Sequence, residues 1–435
     1  MKINNLQNKN ICILGWGIEN QALVKFLLKN KIDFQITICD ARKSVGTSRD
    51  LSSAQWNLGK NYDKDLDKYD IVFRSPGYPL FKKNIIKAKK AGVKISSPME
   101  LFFNLCPTKN IIGVTGTKGK GTTSSLIFEI LRLGGKRVFL GGNIGVAPFS
   151  FIDKIKKNNW VILELSSFQL EDLNINPKIA VITNFYKEHL APADPNNPNF
   201  HKSFKKYWEA KANVFKQQEK GNVLIVNKKI KDKIKKLKLR NKIIYFNKSE
   251  LTSKLVGEYN KENIAAAVEV AKIVGIKENT IKKAITNFKG LEHRLELVKK
   301  VKGVEYYDDS FATTPEATIL ALKSFSSPIV ALLGGADKGS DFSKLAKVVK
   351  QKMKFVVLLK GQATSRIQSV LIKTGYPKEK MKIVSNIKEA MKQVSRNIVN
   401  GDIVLLSTAC ASFGMFKNYK ERGNLFKQEV EKIKK

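Results

Sequence analysis

Short apolar runs recur along the chain, and between most of them lies a stretch with helical spacing of its apolar positions. NICILG (10–15), QITICD (35–40) and DIVFRSPG (70–77) come first, followed by IIGV (111–114), WVILE (160–164), IAVITN (179–184) and VLIVN (223–227). IVALLGG (329–335), KFVVLLKG (354–361) and DIVLLS (402–407) complete the series. Near-continuous β-branched runs that stop at Gly, Asn or Asp are what strands covered on both faces look like. NQALVKFLLKN and ENIAAAVEVAKIVG carry the helical period between them, and FKNYKERGNLFKQEVEKIKK closes the chain as a polar helix. The alternation predicts an α/β protein with mainly parallel sheets. No short repeat is present. The polar segment APADPNNPN (191–199) predicts a loop, because Pro and Asn suppress strand and helix alike.

Three blocks follow from this order, dividing at Cys106-Pro107 and at the turn GLEHR. They give expected domains at 1–107, 108–295 and 296–435. The 435-residue length agrees, at roughly 150 residues per domain.

Charge changes the picture less than its size suggests. Lys and Arg number 79 against 38 Asp and Glu, a formal net charge of +41. Such an excess attracts nucleic acid or acidic membranes when it is clustered. Here the lysines run through every segment and greatly outnumber arginine, which favours solvated lysine-rich faces over a nucleic-acid surface. The four cysteines, Cys12, Cys39, Cys106 and Cys410, form no C-x-x-C pair and are expected to be buried free thiols in a reducing compartment. No apolar run reaches the ~20 residues of a membrane span, and the N-terminus lacks a signal-peptide core, so a cytoplasmic protein is expected.

The strongest chemical pattern is TGTKGKGTT, Thr115, Gly116, Thr117, Lys118, Gly119, Lys120, Gly121, Thr122 and Thr123, between an apolar run and a helical pattern. A Gly-rich turn that opens a helix presents backbone N–H groups and a positive dipole end to an anion, and Lys120 would reach the outer phosphates of a nucleotide. The full Walker spacing asks for Gly at Val114 and Ser or Thr at Gly121, so a plain Gly-rich turn stays open. Thr122 is the nearest hydroxyl for a magnesium ion. Glu164 ends WVILE, where open α/β sheets bind ligands, and a buried carboxylate there expects a cation or an internal salt bridge. His189 follows IAVITN. Together with Glu164 and the loop it suggests a metal site, magnesium fitting the nucleotide although imidazole is an unusual ligand for so hard an ion. GWGIEN (15–20) resembles a dinucleotide turn with Asn20 in place of the third Gly, and Asp40 ends the next strand at the distance of a ribose-binding acid. In the third block, YYDDSFATTPEAT, LLGGADKGSDF and STACASF are small-residue loops directly after apolar runs, which points to one ligand-binding edge.

Taken in order, TGTKGKGTT, GGNIG (141–145), LELSSFQLE (163–171), KEHL, EAKANVF (209–215), YNKEN, GLEHRLE, DDS-x-A-T, LLGGADKGSDF and STACASF-x-x-FKNY resemble the Mur ligase family over essentially the whole chain. Within it the match is to the members that add D-glutamate to UDP-N-acetylmuramoyl-L-alanine in peptidoglycan synthesis, a step of cell-wall growth, cell shape and division. The resemblance implies a Rossmann-like UDP-binding domain, a central P-loop-type ATPase domain and a Rossmann-like C-terminal domain. It implies ATP and Mg2+, an acyl-phosphate intermediate, and ADP and phosphate as products. Lys120 would hold the β- and γ-phosphates, Thr122 and Glu164 one metal, His189 and a carbamylated Lys211 a second. Asn143 would contact the muramoyl group, Asn260 and Asn263 the adenine, and Arg294 and Asp309 the nucleotide from across an interdomain cleft. Ile18, Glu19, Asp40, Arg42, Ser75, Pro76 and Gly77 would surround the UDP, while Lys338, Ser412 and Tyr419 would hold the glutamate. A monomer with no nucleic-acid partner and no membrane insertion is expected.

The chain departs from the family pattern at Gly121, at Phe311 where DSKATN has Lys, at Glu188 where Asp usually precedes His, and at Tyr419 where Phe is usual. The altered loop at Phe311 leaves an L-glutamate-adding ligase open. A nucleic-acid-dependent ATPase is the distant alternative, which would call for clustered Arg and exposed aromatics.

Overall fold

The computed structural model describes the chain except residues 1, 33, 47–50, 52–53, 191–198, 338 and 435. Lys338 and all of the expected 191–199 loop but Asn199 therefore lie outside the described residues. The described chain forms two compact units, residues 1–251 with 262–285 and residues 252–261 with 286–435.

The first unit holds two parallel sheets. One contains β1 (Lys9–Leu14), β2 (Phe34–Asp40), β3 (Gln55–Leu58), β4 (Ile71–Arg74) and β5 (Lys94–Ser96) in the order β3-β2-β1-β4-β5. The other contains β6 (Ile111–Thr115), β7 (Val138–Gly142), β8 (Trp160–Glu164), β9 (Ile179–Ile182), β10 (Val223–Asn227) and β11 (Lys242–Phe246) in the order β11-β10-β9-β6-β8-β7. Helices α1 (Ile18–Lys29), α2 (Lys83–Lys90) and α3 (Pro98–Leu105) belong to the first sheet; α4 (Lys120–Leu133), α5 (Ser167–Leu170), α6 (Phe204–Ala212) and α7 (Lys231–Lys235) to the second. α8 (Tyr259–Val274) follows, then α9 (Glu278–Asn287). The strand order reverses at β1/β4 and around β6, and at such switch points loops part to leave a crevice at the carboxyl ends of the strands. Both Gly-rich turns read from the sequence sit there, one after β1 and one after β6.

The second unit has one sheet, β12 (Glu296–Val301), β13 (Val304–Asp308), β14 (Ile329–Leu333), β15 (Met353–Leu359), β16 (Met381–Val384) and β17 (Ile403–Leu406), ordered β12-β13-β17-β14-β15-β16. β12 pairs antiparallel with β13 and the rest are parallel. Helices α10 (Pro315–Lys323), α11 (Ser343–Lys352), α12 (Thr364–Lys373), α13 (Ile387–Asn397) and α14 (Tyr419–Glu431) accompany it. All four cysteines are free and buried, as expected. Among the described residues no helix is long and apolar enough to cross a membrane.

Arg74, at the end of β4, ties the two sheets of the first unit together and was not singled out by pattern. Its guanidinium is buried to 1% exposure and grips Asp172 with two bonds, Nε to Oδ2 at 3.1 Å and Nη2 to Oδ1 at 2.9 Å. It also donates to the carbonyls of Tyr78 at 2.8 Å and Phe168 at 3.1 Å. Removing the arginine leaves the largely buried Asp172 without its partner, a loss of at most about 3–5 kcal/mol, the cost of breaking a fully buried pair. Arg74→Met is therefore expected to move the first urea unfolding transition to markedly lower denaturant, by up to that free energy, while Lys9→Met, at the half-exposed Lys9–Asp70 pair, shifts it by less than about 1 kcal/mol.

Candidate active site

The loop between β6 and α4 is built as the sequence predicts. Gly116 has φ of 147° and a Cβ on it would lie 1.9 Å from Thr183 Oγ1; Gly119 has φ of 81° and a Cβ would lie 2.1 Å from Asn263 Oδ1. Neither position accepts a side chain. The loop's hydroxyls are partly committed to its own architecture: Thr115 Oγ1 donates to the Leu165 carbonyl at 2.7 Å, and Thr117 Oγ1 accepts from the Tyr186 N–H at 3.0 Å. Asn184 braces the other side, its Oδ1 accepting from Lys118 N–H at 2.8 Å and its Nδ2 donating to the Lys118 carbonyl at 3.0 Å. The Lys118 ammonium pairs with Glu188 at 2.5 Å. Lys120 lies in the first turn of α4, with Nζ 3.1 Å from the Thr117 carbonyl. Gly121 and Thr123 are buried in that turn, and Thr122 is half-buried. The helix start thus presents N–H groups and a lysine to one point, an anion site by construction.

Glu164 closes β8 beside this loop and is 4% exposed. Asn143 donates from Nδ2 to Glu164 Oε1 at 2.7 Å and from its backbone N–H to the Glu164 carbonyl at 2.8 Å. The other oxygen, Oε2, is buried with no hydrogen-bond partner. An ionised oxygen left unpaired out of water is costly, so a cation is the group this position fits. Lys211, on α6, is 1% exposed and donates to the Gly116 carbonyl at 2.7 Å, with Nζ 4.8 Å from the Tyr207 ring centre. Burial, and then the nearby Lys120, push its ammonium well below the usual lysine value, with Glu188 and Glu164 opposing. A lysine whose pKa is lowered by burial gives up its proton more readily, and the free amine is a nucleophile.

His189 takes a left-handed backbone, φ 59°, and its ring packs edge-on to Phe168 and Tyr207. Its pKa falls to about 4, because desolvation outweighs Glu188 and the lysines 211, 120 and 118 add to the fall. The imidazole is thus neutral at physiological pH, the form that ligates metal. His201, which pattern reading passed over, holds this residue in place: its N–H donates to the His189 carbonyl at 2.8 Å. Its ring stacks on Phe168 at 4.9 Å and 9°, and Nε2 lies 2.9 Å from Ser167 Oγ. No sequence signal marks His201, since a contact between residues twelve positions apart follows neither a helical nor a strand period.

The turn after β1 forms a second site in the same unit. Asp40 accepts from the Trp16 N–H at 2.7 Å and from Arg42 Nε and Nη2 at 2.8 and 2.9 Å. Burial alone would raise its carboxyl; the Arg42 bonds and the Trp16 N–H outweigh it and hold the acid below its ordinary range. Ile18 is 65% exposed at the start of α1. Glu19 bonds Gln169, and burial lifts its carboxyl to about 7 against the pull of Gln169 and Arg74. Ser75, Pro76 and Gly77 follow β4 across the switch point, with Ser75 N–H bonded to the Leu14 carbonyl at 2.8 Å.

In the second unit the three small-residue loops do meet. Gly334 N–H donates to the Thr408 carbonyl and Ala336 N–H to that of Ala411, both at 2.9 Å, while Ser407 Oγ donates to Asp309 Oδ2 at 2.7 Å. Burial raises Asp309 to about 7, opposed by Ser407, the Leu295 N–H and Arg294. Ser412 is buried, Tyr419 opens α14, and the guanidinium carbon of Arg294 sits 3.8 Å from the ring centre of Phe311. Asn263, on α8, packs in the first unit against Gly119 and accepts from Thr123 Oγ1 at 3.4 Å. Asn260, one turn earlier and counted with the second unit, donates to the Val256 carbonyl at 2.7 Å. His293, Glu296 and Asp308 also group their ligand atoms within 4.8 Å of one another. Lys427 already pairs with Glu296 at 2.7 Å and His293 Nδ1 bonds Asp308 at 2.7 Å, so those ligand atoms already have partners within the protein.

Residues 9–97 match the N-terminal domain of MurD-like Mur ligases, 114–250 the Mur ligase middle domain, and 293–410 the Mur ligase glutamate ligase domain. A UDP-N-acetylmuramoylalanine--D-glutamate ligase of Clostridium botulinum is 35% identical over an alignment 461 positions long, covering 98% of each chain. One of the same name from Clostridium acetobutylicum is 37% identical, covering 99% of this chain and 98% of its own. Among solved structures, the UDP-N-acetylmuramate-alanine ligase MurC of Thermotoga maritima superposes with TM-score 0.59 at 17% identity over 98% of this chain and 99% of its own. MurF ligase from the same organism, in complex with ADP, gives 0.59 at 17% over 99% and 97%.

Proposed function

The chain belongs to the Mur ligase family, and from that premise we propose that it joins D-glutamate to the L-alanine carboxylate of UDP-N-acetylmuramoyl-L-alanine, with ATP converted to ADP and phosphate. The observation that carries this is the full-length identity with D-glutamate ligases. Residues 1–107 take the UDP end of the substrate, 108–295 the ATP, and 296–435 the amino acid.

The substrate carboxylate attacks the γ-phosphorus, ADP leaves, and an acyl phosphate forms. The amine of glutamate then adds to the acyl carbon, a tetrahedral intermediate collapses, and phosphate departs. Both steps bring anions together, so the protein's task is positioning and cationic stabilisation. The N–H groups of residues 116–123 cradle the phosphates and Lys120 holds their β- and γ-oxygens. Asn143 fixes Glu164, whose unpartnered Oε2, with the Thr122 hydroxyl, suits a first magnesium. His189 and Lys211 suit a second once the Lys211 amine has taken up CO2 as a carbamate, which the downward shift of its pKa by burial favours. Magnesium, when bound, neutralises phosphate oxygens as charge moves between them. Asp40 and Arg42, with Ile18, Glu19 and the 75–77 turn, receive the UDP moiety. Asn260 and Asn263 serve the adenine, Arg294 and Asp309 the nucleotide, and Lys338, Ser412 and Tyr419 the glutamate. The substrates place the reaction in the cytoplasm, and a monomer suffices for it.

Phosphate release is the test. Purified protein with magnesium and ATP is expected to release phosphate when UDP-N-acetylmuramoyl-L-alanine and D-glutamate are both present, and not with either alone. Equal or greater turnover with L-glutamate would overturn the choice of amino acid, and release without any amino acid would overturn ligation.

A further inference from the structure

Phe311 stands where the family pattern has a lysine, and the structure shows what this chain has put in its place. The backbone around it is fixed from two sides. Phe311 N–H donates to the His293 carbonyl at 3.0 Å. Ser310, just before it, receives bonds from the fully buried Arg422, Nη2 to the carbonyl at 2.7 Å and Nε to Oγ at 3.0 Å, and donates from Oγ to the Tyr419 carbonyl at 2.7 Å. The ring is therefore aimed by its main chain. Arg294 lies over its face, guanidinium carbon 3.8 Å from the ring centre, and the Tyr419 ring meets it edge-on at 5.0 Å and 86°. Phe311 keeps 39% exposure, so the assembly opens outward.

We infer that Phe311 is a positioning residue, which holds the nucleotide-binding Arg294 and the glutamate-binding Tyr419 on one aromatic ring. The inference rests on the roles proposed above for those two residues. A stacked guanidinium gives its face to the ring and keeps its N–H donors in the plane, where they hydrogen-bond phosphate oxygens. Tyr419, which replaces the family's usual Phe, is steered by the same ring through an edge-to-face contact. Lysine at 311 would set a second positive charge against Arg294 at this separation. The chain has thus exchanged a cation at 311 for support of the cation at 294.

The test compares Phe311→Leu, which keeps the bulk and removes the π face, with Phe311→Tyr, which keeps both, and Phe311→Lys. For Leu, KM for ATP and KM for glutamate are each expected to rise about 3- to 10-fold, the size of one partly exposed cation–π contact. KM for the UDP substrate and the melting temperature stay put, Tyr remains within about twofold of wild type, and Lys is at least as poor as Leu. ADP affinity by calorimetry, which needs no ligation, should fall for Leu and Lys and not for Tyr. A wild-type protein that binds ADP but does not ligate would sink the proposed reaction, and the ADP series would still decide the role of Phe311. Leu matching wild type in ADP affinity and both KM values, Lys improving either KM, or all three KM values rising together with a lowered melting temperature would overturn it.

Discussion

Lys120→Met is expected to lower kcat/KM for ATP by about 10³-fold, with the KM for the UDP substrate nearly unchanged. Removing one preorganised donor from the charge that develops in a transition state costs about 10²–10³ in rate, and here the donor also carries a full positive charge in a group transfer driven almost wholly by electrostatics. Of the two lysines in the loop, Lys118 is committed to Glu188 and Asn184 binds its backbone on both sides. Lys120, in the first turn of α4, is the one assigned to the phosphates. Lys118→Met should therefore cost far less, about tenfold, through a loosened loop. Steady-state kinetics on the two variants decides the assignment: equal losses, or the larger one at Lys118, would exchange the roles.

Lys211→Arg carries the second large effect, again about 10³-fold in kcat, although it conserves charge. On the proposed reading the site uses a carbamate, not a cation, at 211. The side chain is buried, burial and Lys120 drive its pKa well down, and an arginine in its place remains charged beside Lys120 and cannot form a carbamate. Two further results are expected. Activity of the unaltered enzyme should fall when CO2 and bicarbonate are stripped from slightly acidic buffer and return when bicarbonate is added, since acid shifts both the amine and its carbamate toward the ammonium. Lys211→Ala should be partly restored by a short carboxylic acid that supplies the missing oxygens. Full activity of Lys211→Arg, with no response to bicarbonate, would remove the carbamate from the mechanism.

Local pattern carried much of this site. The 115–123 loop, its glycines and the acid at the end of β8 are legible because strand, turn and helix N-terminus are contiguous, and Gly116 and Gly119 are each required by an atom within about 2 Å of where a Cβ would be. Asp40 was legible as a strand-end acid, but its grip on Arg42 and the Trp16 N–H was not. What escaped the sequence depends on returns of the chain. His201 meets His189 from twelve positions further along the chain, Arg74 meets Asp172 from another sheet, and Asn143 meets Glu164 across neighbouring strands β7 and β8. Phe311 was visible as a departure, yet nothing in the sequence says that Arg294 and Tyr419 would share its ring. Residues that act through a neighbour leave no spacing to read.

The ligation through an acyl phosphate is tested most directly by oxygen transfer. UDP-N-acetylmuramoyl-L-alanine labelled with oxygen-18 in its alanine carboxylate is turned over with ATP and D-glutamate, and the released phosphate is weighed by mass spectrometry. If the carboxylate attacks the γ-phosphorus, that oxygen stays with the phosphate when the amine expels it, so we expect one label in each phosphate formed. Unlabelled phosphate, with product still made, would contradict the mechanism.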